Sequence, residues 1–148
     1  MINENLKLRG DVALVLRDKN GNVKEEREIK NLIVTSGLGF IASRMKNTTN
    51  IMSHMALGSG TTAAAAGQTA LVTQLGSRET LDSTTVSGAT VTYVASFEAG
   101  DGTGAVTEAG IFNAASSGTM LCRTVFGVVN KEADDTMSVT WTITLTAS

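Results

Sequence analysis

The chain has 148 residues, a net charge of −2 and one cysteine, so we expect one globular domain over residues 1–148 and exclude a small domain stabilised by disulfides. Nucleic-acid binding is disfavoured because the small basic excess of residues 1–50 is interleaved with acids and forms no cluster that could displace counterions from phosphates. No apolar run approaches the roughly 18 residues of a membrane-spanning helix, so we expect neither nucleic acid nor a membrane as a partner.

The first predicted element is a β-hairpin. Most even positions from Leu6 to Leu16 are apolar while charged residues occupy odd positions, which is typical of a half-buried strand. Asp18-Lys19-Asn20-Gly21 follows, and Asn-Gly readily adopts the positive φ angles that a tight turn requires. Residues 23–34 are expected to return antiparallel to the first strand.

The periodicity then changes to that of a helix. Apolar residues recur at spacings of three and four: Leu38, Ile41 and Met45. This pattern predicts one short helix over about residues 36–47. Thr35 or Ser36 is expected to accept the free amide hydrogens of its first turn.

The rest of the chain predicts six further strands separated by turns rich in Gly, Ser and acidic residues. They span residues 51–57, 77–84, 90–99, 106–113, 120–129 and 136–146. Residues 61–67 hold four consecutive alanines but no amphipathic pattern, so we predict a loop there, followed by a helical turn around residues 69–75. We therefore expect a mainly β fold, a β-sandwich or jelly-roll of about eight strands with one short helix.

The residues that could carry catalysis or bind metal form no motif. His54 has no acidic residue near it in sequence, and neither His54 nor Cys122 lies in a motif that marks a nucleophile. One histidine and one cysteine are too few for a usual zinc site. Asp101 is isolated, and Asp134-Asp135 lacks the alternating oxygen ligands of a calcium loop. We therefore predict no catalytic, cofactor-binding or metal-binding residues, no cofactor and no enzymatic activity.

Three other features predict structural roles. The run Gly100–Gly104 is expected to be a turn rather than a phosphate loop, because a predicted strand and not a helix follows it. Trp141 and Tyr93 are expected in the core because each shares a strand face with apolar residues. Glu108 and Arg123 lie in mostly apolar strands, where an unpaired charge is costly, so we predict that they form a structural ion pair.

Two features of the composition favour binding to other protein subunits. The chain has no proline, a residue that commonly protects sheet edges from pairing. After residue 50 its polar and small residues are mainly Thr, Ser, Ala and Gly rather than Lys and Glu. Because protein interfaces are poor in charge at their centres, this composition favours contact with a partner.

Five segments resemble small virion structural proteins of tailed bacteriophages. They are Asn31–Gly37 (NLIVTSG), Met52–Thr62 (MSHMALGSGTT), Thr107–Asn113 (TEAGIFN), Leu121–Phe126 (LCRTVF) and Asp135–Ile143 (DTMSVTWTI). The likeness spans nearly the whole chain, and such sequences occur as stand-alone virion proteins and as modules of tail or fibre proteins. The resemblance implies a role in the assembly of the particle.

For a short chain, this resemblance most suggests a capsid decoration (cement) protein that binds the outer surface of the major capsid shell and stabilises it. The alternative that it leaves open is a tail, baseplate or fibre-attachment structural module. The implied partner is the major capsid protein or another virion structural protein, and we expect a homo-oligomer, a dimer or trimer, formed through strand edges or threonine-rich faces. Residues 1–9 are expected to be an arm that orders on the shell. The expected location is the virion, assembled in the host bacterial cytoplasm.

Overall fold

A computed structural model of the protein describes residues 5–46 and 49–147. Within these residues the chain forms nine β-strands and one short helix, which confirms the predicted mainly β fold. The elements are β1 (Leu6–Arg17), β2 (Val23–Ile33), α1 (Thr35–Arg44), β3 (His54–Gly58), β4 (Gln74–Thr80), β5 (Ser83–Ser87), β6 (Thr90–Phe97), β7 (Gly104–Phe112), β8 (Met120–Lys131) and β9 (Thr136–Ala147).

The nine strands form one antiparallel sheet that curls over on itself, in the order β4-β3-β7-β8-β2-β1-β9-β6-β5. Strand β2 belongs to both halves of this sheet. Its residues from Val23 to Asn31 pair with β1, whereas Leu32 and Ile33 pair with β8. The sheet therefore has two layers, β5-β6-β9-β1-β2 and β2-β8-β7-β3-β4, in the manner of a β-sandwich or jelly-roll.

The core lies between the two layers. Trp141, Leu14 and Phe97 come from the first layer, Met55 and Ile111 come from the second, and each is at most 1% exposed. Trp141 is buried because β9 alternates apolar with hydroxyl side chains, so that one face of the strand packs inward. The predicted position of Trp141 in the core is therefore confirmed, as is that of Tyr93, which is 7% exposed.

The predicted turn between β1 and β2 is present. Gly21 has a φ of +84°, a conformation that glycine adopts without strain. The Asp18 carboxylate accepts the backbone N–H groups of Asn20 and Asn22 at 2.9 and 3.0 Å. These bonds, that from Asn22 above all, hold the pKa of Asp18 below its ordinary value.

The helix lies in the predicted region, but its ends and its cap differ from the prediction. It spans Thr35–Arg44, and residue 47 of the predicted span lies outside the described residues. Val34 is the N-cap residue and makes no side-chain bond to the first turn, so the predicted cap by Thr35 or Ser36 is wrong. The Ser36 hydroxyl instead donates to a carbonyl oxygen of β8 at 3.0 Å, because α1 packs against that strand.

The prediction of one strand over residues 77–84 is wrong, because the chain changes layer within that range. β4 ends at Thr80, β5 begins at Ser83, and the two strands lie at opposite ends of the sheet order. Between them the amide of Leu81 donates to a carbonyl beside β3 at 2.9 Å, and that of Asp82 donates to β6 at 2.7 Å. This crossing accounts for nine strands where about eight are predicted.

The two ends of the described chain pair with each other. Leu6–Arg9 pair in register with Thr144–Ala147. This corrects the extent of the arm predicted over residues 1–9, because from Leu6 onward the backbone is part of the sheet. Residues 1–4 of that segment lie outside the described residues.

Candidate functional site

The structure does not bring His54 and Cys122 together. His54 pairs with Phe112, whereas Cys122 pairs with Ile111, and neighbouring residues of a strand point to opposite faces. The Cys122 side chain is fully buried, and this burial raises the pKa of its thiol well above the ordinary value. The His54 ring lies beside a hydroxyl instead, with Nδ1 2.7 Å from Oγ of Ser53. These two residues therefore do not form a nucleophile and its base.

Of the acidic residues considered as metal ligands, Asp135 has hydrogen-bond partners for its carboxylate. Asp135 accepts a bond from Lys24 Nζ at 2.7 Å and one from the backbone of Glu132 at 2.9 Å. Asp101 lies in the turn after β6, where its amide donates to the carbonyl of Glu98 at 3.0 Å. In the described part of the chain, no group of three or more His, Cys, Asp or Glu side chains could hold a metal ion. Nor does any helix in residues 5–46 and 49–147 have the length and apolar character needed to cross a membrane.

The glycine run after β6 forms a turn between two strands, as predicted. Gly100, Gly102 and Gly104 have φ angles of +88°, +62° and +141°. The chain then enters β7 directly, so no helix N-terminus follows the glycines. The arrangement differs from a phosphate loop, which delivers its glycines to the start of a helix.

A buried ion pair joins Glu108 of β7 to Arg123 of β8. Arg123 Nε donates to Glu108 Oε1 at 2.9 Å, and both side chains are 0% exposed. The predicted pairing of these two residues is therefore confirmed. Two buried charges need further hydrogen bonds, because the free-energy cost of removing both from water exceeds the stabilisation from their mutual attraction alone.

Those further bonds come from the segment Ser59–Thr73, which connects β3 with β4 and which we call the alanine-rich loop. Glu108 accepts the backbone N–H groups of Gly60 at 2.7 Å, Thr73 at 2.8 Å and Val72 at 2.9 Å. One carboxylate thus binds the beginning and the end of the loop.

Arg123 holds the middle of the alanine-rich loop. Its Nη1 donates to Oε1 of Gln68 at 3.0 Å. The same oxygen accepts the amide of Ala65 at 3.0 Å, and Gln68 Nε2 donates to the carbonyl of Ala63 at 3.2 Å. The helical turn predicted around residues 69–75 is wrong, because amides that a helix would bond internally donate to the buried carboxylate.

Close packing of this loop on the sheet depends on two glycines and one leucine. A Cβ on Gly58 would lie 2.6 Å from Glu108 Oε2, and one on Gly60 would also collide with that oxygen. Leu71 packs onto a second apolar cluster beneath the loop, outside the main core. That cluster contains Val34, Ala56, Phe112 and Met120. The loop is therefore fixed by polar and apolar contacts although it has no regular secondary structure.

The outward side of the alanine-rich loop is free of charge. Residues 55–77 contain no Asp, Glu, Lys or Arg. Most residues of the loop are exposed, including Thr61, Thr62, Ala65 and Ala66, and Val72 is 50% exposed. The two charges that fix the loop lie beneath it, so its surface offers small apolar groups and hydroxyls in a defined conformation.

The chain matches no protein-family model, no curated protein and no solved structure. The arrangement of its own residues is therefore what describes the site.

Sequence reasoning identified the ion pair and a loop over residues 61–67, but it missed that the pair holds this loop. Gln68 and Gly60 have no local motif that marks them as partners of Arg123 and Glu108. The signal that could have found the loop is the uncharged run of residues 55–77, which ends only at Arg78. In a chain that is 18% charged, such a run indicates either a buried segment or a surface made for contact.

We expect the protein to lose stability in acid as Glu108 becomes protonated. Burial raises the pKa of this carboxyl, but the amides of Thr73 and Val72, the Arg123 guanidinium and the Gly60 amide outweigh it, so the pKa is lower than the ordinary 4.5. A lowered pKa in the folded state means that the stabilisation is present above about pH 4.5 and is lost as the pH falls through the folded value.

Urea unfolding at a series of pH values between about pH 7 and pH 2 measures this loss. The Glu108→Gln variant keeps the shape of the side chain but cannot ionise, so its unfolding free energy should depend less steeply on pH below about pH 5. An equal slope in the variant and the natural chain would contradict the assignment. The remaining slope belongs to other acids, including Asp18 and Asp135, whose pKa values are lowered by the Asn22 amide and by Lys24 respectively.

Proposed function

We propose that the chain is a structural protein of a tailed-bacteriophage virion and that it binds other virion subunits through the alanine-rich loop. The observation that carries the proposal is the loop itself, exposed, uncharged and fixed from beneath by the Glu108–Arg123 pair. A surface that is already ordered loses little conformational entropy when it docks, and a surface without charge costs little free energy to remove from water. The proposal includes no enzymatic activity.

The resemblance to virion proteins also supports the alanine-rich loop as the binding surface. Of the five segments that carry it, Met52–Thr62 includes the start of the loop, Thr107–Asn113 includes Glu108, and Leu121–Phe126 includes Arg123. The residues that fix the loop therefore belong to the segments on which the resemblance rests. This coincidence links the proposed role in particle assembly to one surface of the fold.

The form of this function that we favour is capsid decoration. In this form, copies of the chain bind the outer surface of the shell and bridge neighbouring copies of the major capsid protein. Each contact contributes modest binding energy, and many symmetry-related copies together oppose the outward pressure on the shell. The alternative is a tail, baseplate or fibre-attachment module, which the same resemblance allows and which would use the same uncharged loop.

Binding to empty, expanded shells of the phage that encodes the chain tests the proposal. We expect the purified chain to co-sediment with the shells and to raise the temperature at which they disrupt. Ala65→Glu, which places a charge on the loop, should weaken the binding at least about tenfold. Ala133→Glu makes the same change at an exposed alanine outside the loop and should leave the binding unchanged.

Two results of this experiment would contradict the proposal. A failure of the natural chain to bind the shells overturns the decoration role itself, and equal binding by the two glutamate variants overturns the assignment of the contact to the loop. Immunogold labelling of intact virions separates the two forms of the proposal: label over the head supports decoration, and label confined to the tail supports the alternative. An unlabelled virion contradicts both.

A further inference from the structure

The two end strands of the sheet differ in how their edges are protected. β4 and β5 are the outermost strands in the sheet order. β4 carries Arg78, whose guanidinium lies 3.6 Å over the ring of Phe112 and donates to the carbonyls of Ala114 at 2.9 Å and Ser117 at 2.8 Å. A charge held in this way hinders another chain from pairing with the edge. Glu79 follows Arg78 in the same strand and adds a second charge.

The edge of β5 has no such protection. Its residues, Ser83–Ser87 (STTVS), include neither charge nor proline, and all are exposed, Val86 to 68%. One edge of β5 pairs with β6, and none of the residues that the structure describes pairs with the other edge. Natural proteins usually block exposed edges, because unpaired backbone N–H and C=O groups recruit other strands.

We propose that β5 pairs antiparallel with β5 of a second copy of this chain, with Thr85 on the two-fold axis. In this register Thr84 lies opposite Val86 of the second copy, and Ser83 lies opposite Ser87. The flanking Asp82 falls opposite Gly88. No like charges therefore meet along the edge, which is the condition that directly opposed residues in a sheet must satisfy.

The faces of the two strands also match in this register. Val86 pairs with Val91 on the inner face of its layer, and Thr85 pairs with Thr92, which pairs with Thr142 on the outer face. Each β5 residue lies opposite a β5 residue of the second copy that points to the same face of the strand. This holds because the sequence numbers of opposed residues differ by an even number. The hydroxyl face of β5, β6 and β9 then continues across the axis, and the layers of two copies become one.

A second copy fits this edge better than a charged peptide does. A mainly apolar groove lies between α1 and the sheet, lined by Val91, Tyr93, Ile143 and Leu145 and by one charged residue, Arg44. Its lining residues Val91 and Tyr93 are the β6 partners of Val86 and Thr84 on the inner face of β5. Pairing through β5 covers Val86 at the margin of this apolar surface without introducing a charge. Because β5 is short, the contact is weak in solution and strengthens where copies are held side by side. This inference does not depend on the role in the virion.

Oxidative cross-linking of Thr85→Cys tests the register. Directly opposed residues of antiparallel strands have Cα atoms about 4.5–5.5 Å apart, which is within reach of a disulfide. The natural Cys122 is fully buried, so the introduced thiol is the one that reacts. We expect a covalent dimer to form at least about tenfold faster than with Thr62→Cys, at another exposed threonine that lies outside β5. Equal rates for the two variants would overturn the proposal.

Substitution of Thr85 by residues of opposite charge gives a second test. Thr85→Lys and Thr85→Glu each place like charges together on the axis, so sedimentation should show self-association weakened roughly fivefold in either variant alone. An equal mixture of the two variants should recover or exceed the natural association. A natural chain that stays monomeric at about millimolar concentration, or variants that all associate alike, would show that β5 is not the contact.

Shell binding of the same variants keeps this inference separate from the proposed function. A natural chain that binds shells but never self-associates overturns the β5 contact alone. A chain that dimerises through β5 but does not bind shells overturns the decoration role alone.

Discussion

Replacing Arg123 with methionine is expected to lower the free energy of unfolding by about 3–5 kcal/mol. The substitution keeps an unbranched chain in the space but leaves the Glu108 carboxylate buried without its counter-charge, and Gln68 loses the hydrogen bond from Arg123. Urea unfolding followed by the fluorescence of Trp141, the one tryptophan of the chain, measures the change.

A double variant and a surface variant test whether this loss of stability comes from breaking the buried ion pair. Glu108→Gln combined with Arg123→Met removes both charges, so its cost should be less than the sum of the two single costs. Arg27→Met breaks an ion pair with Glu25 in which the side chains are 36% and 34% exposed, and it should cost less than about 1 kcal/mol. Equal costs for the Arg27 and Arg123 variants would contradict the role of the buried pair.

Hydrogen exchange shows whether the same pair fixes the alanine-rich loop. In Glu108→Gln the amides of Gly60, Val72 and Thr73 should exchange faster with solvent, because their acceptor has lost its charge. Amides of β9, which lies in the other layer, should be affected only by the change in global stability. Loop amides that keep their natural protection in the variant would show that the carboxylate does not hold them.

Replacing Phe97 with alanine is expected to cost about 3–5 kcal/mol of unfolding free energy. Phe97 is 0% exposed in the core between the layers, so the truncation removes buried apolar surface and leaves a cavity. Leu38→Ala is the control, because Leu38 is 46% exposed on α1 and alanine favours a helix, so its cost should not exceed about 1 kcal/mol. Similar costs for the two variants would argue against a core between two layers.

The parts of the fold that could be predicted from the sequence are those that local patterns determine. The alternation of β9 buries Trp141 wherever the strand packs, and the Asn20-Gly21 turn forms from its own backbone preferences. The crossing at Leu81 and Asp82 could not be predicted, because no glycine or proline marks it and hydrogen bonds to two different layers determine it.

Part of the candidate site could likewise be predicted from the sequence, and part of it could not. Glu108 and Arg123 could be paired from sequence, because each is a charge in an apolar strand that needs a partner. The conformation of the alanine-rich loop could not be predicted from the sequence. It depends on backbone amides that lie 35, 36 and 48 residues away in sequence from the carboxylate that accepts them. No periodicity describes a segment whose conformation is determined by side chains distant in sequence.

The pairing of β1 with β9 affects how the chain folds during synthesis. The β1–β2 hairpin is a local structure and can form early, but the other edge of β1 stays unpaired until β9 has left the ribosome. Contacts between the first and last strands also give the chain a high contact order, and this slows folding. Until β9 pairs with it, the exposed edge of β1 is vulnerable to aggregation, so chaperone demand should be greatest before β9 has emerged.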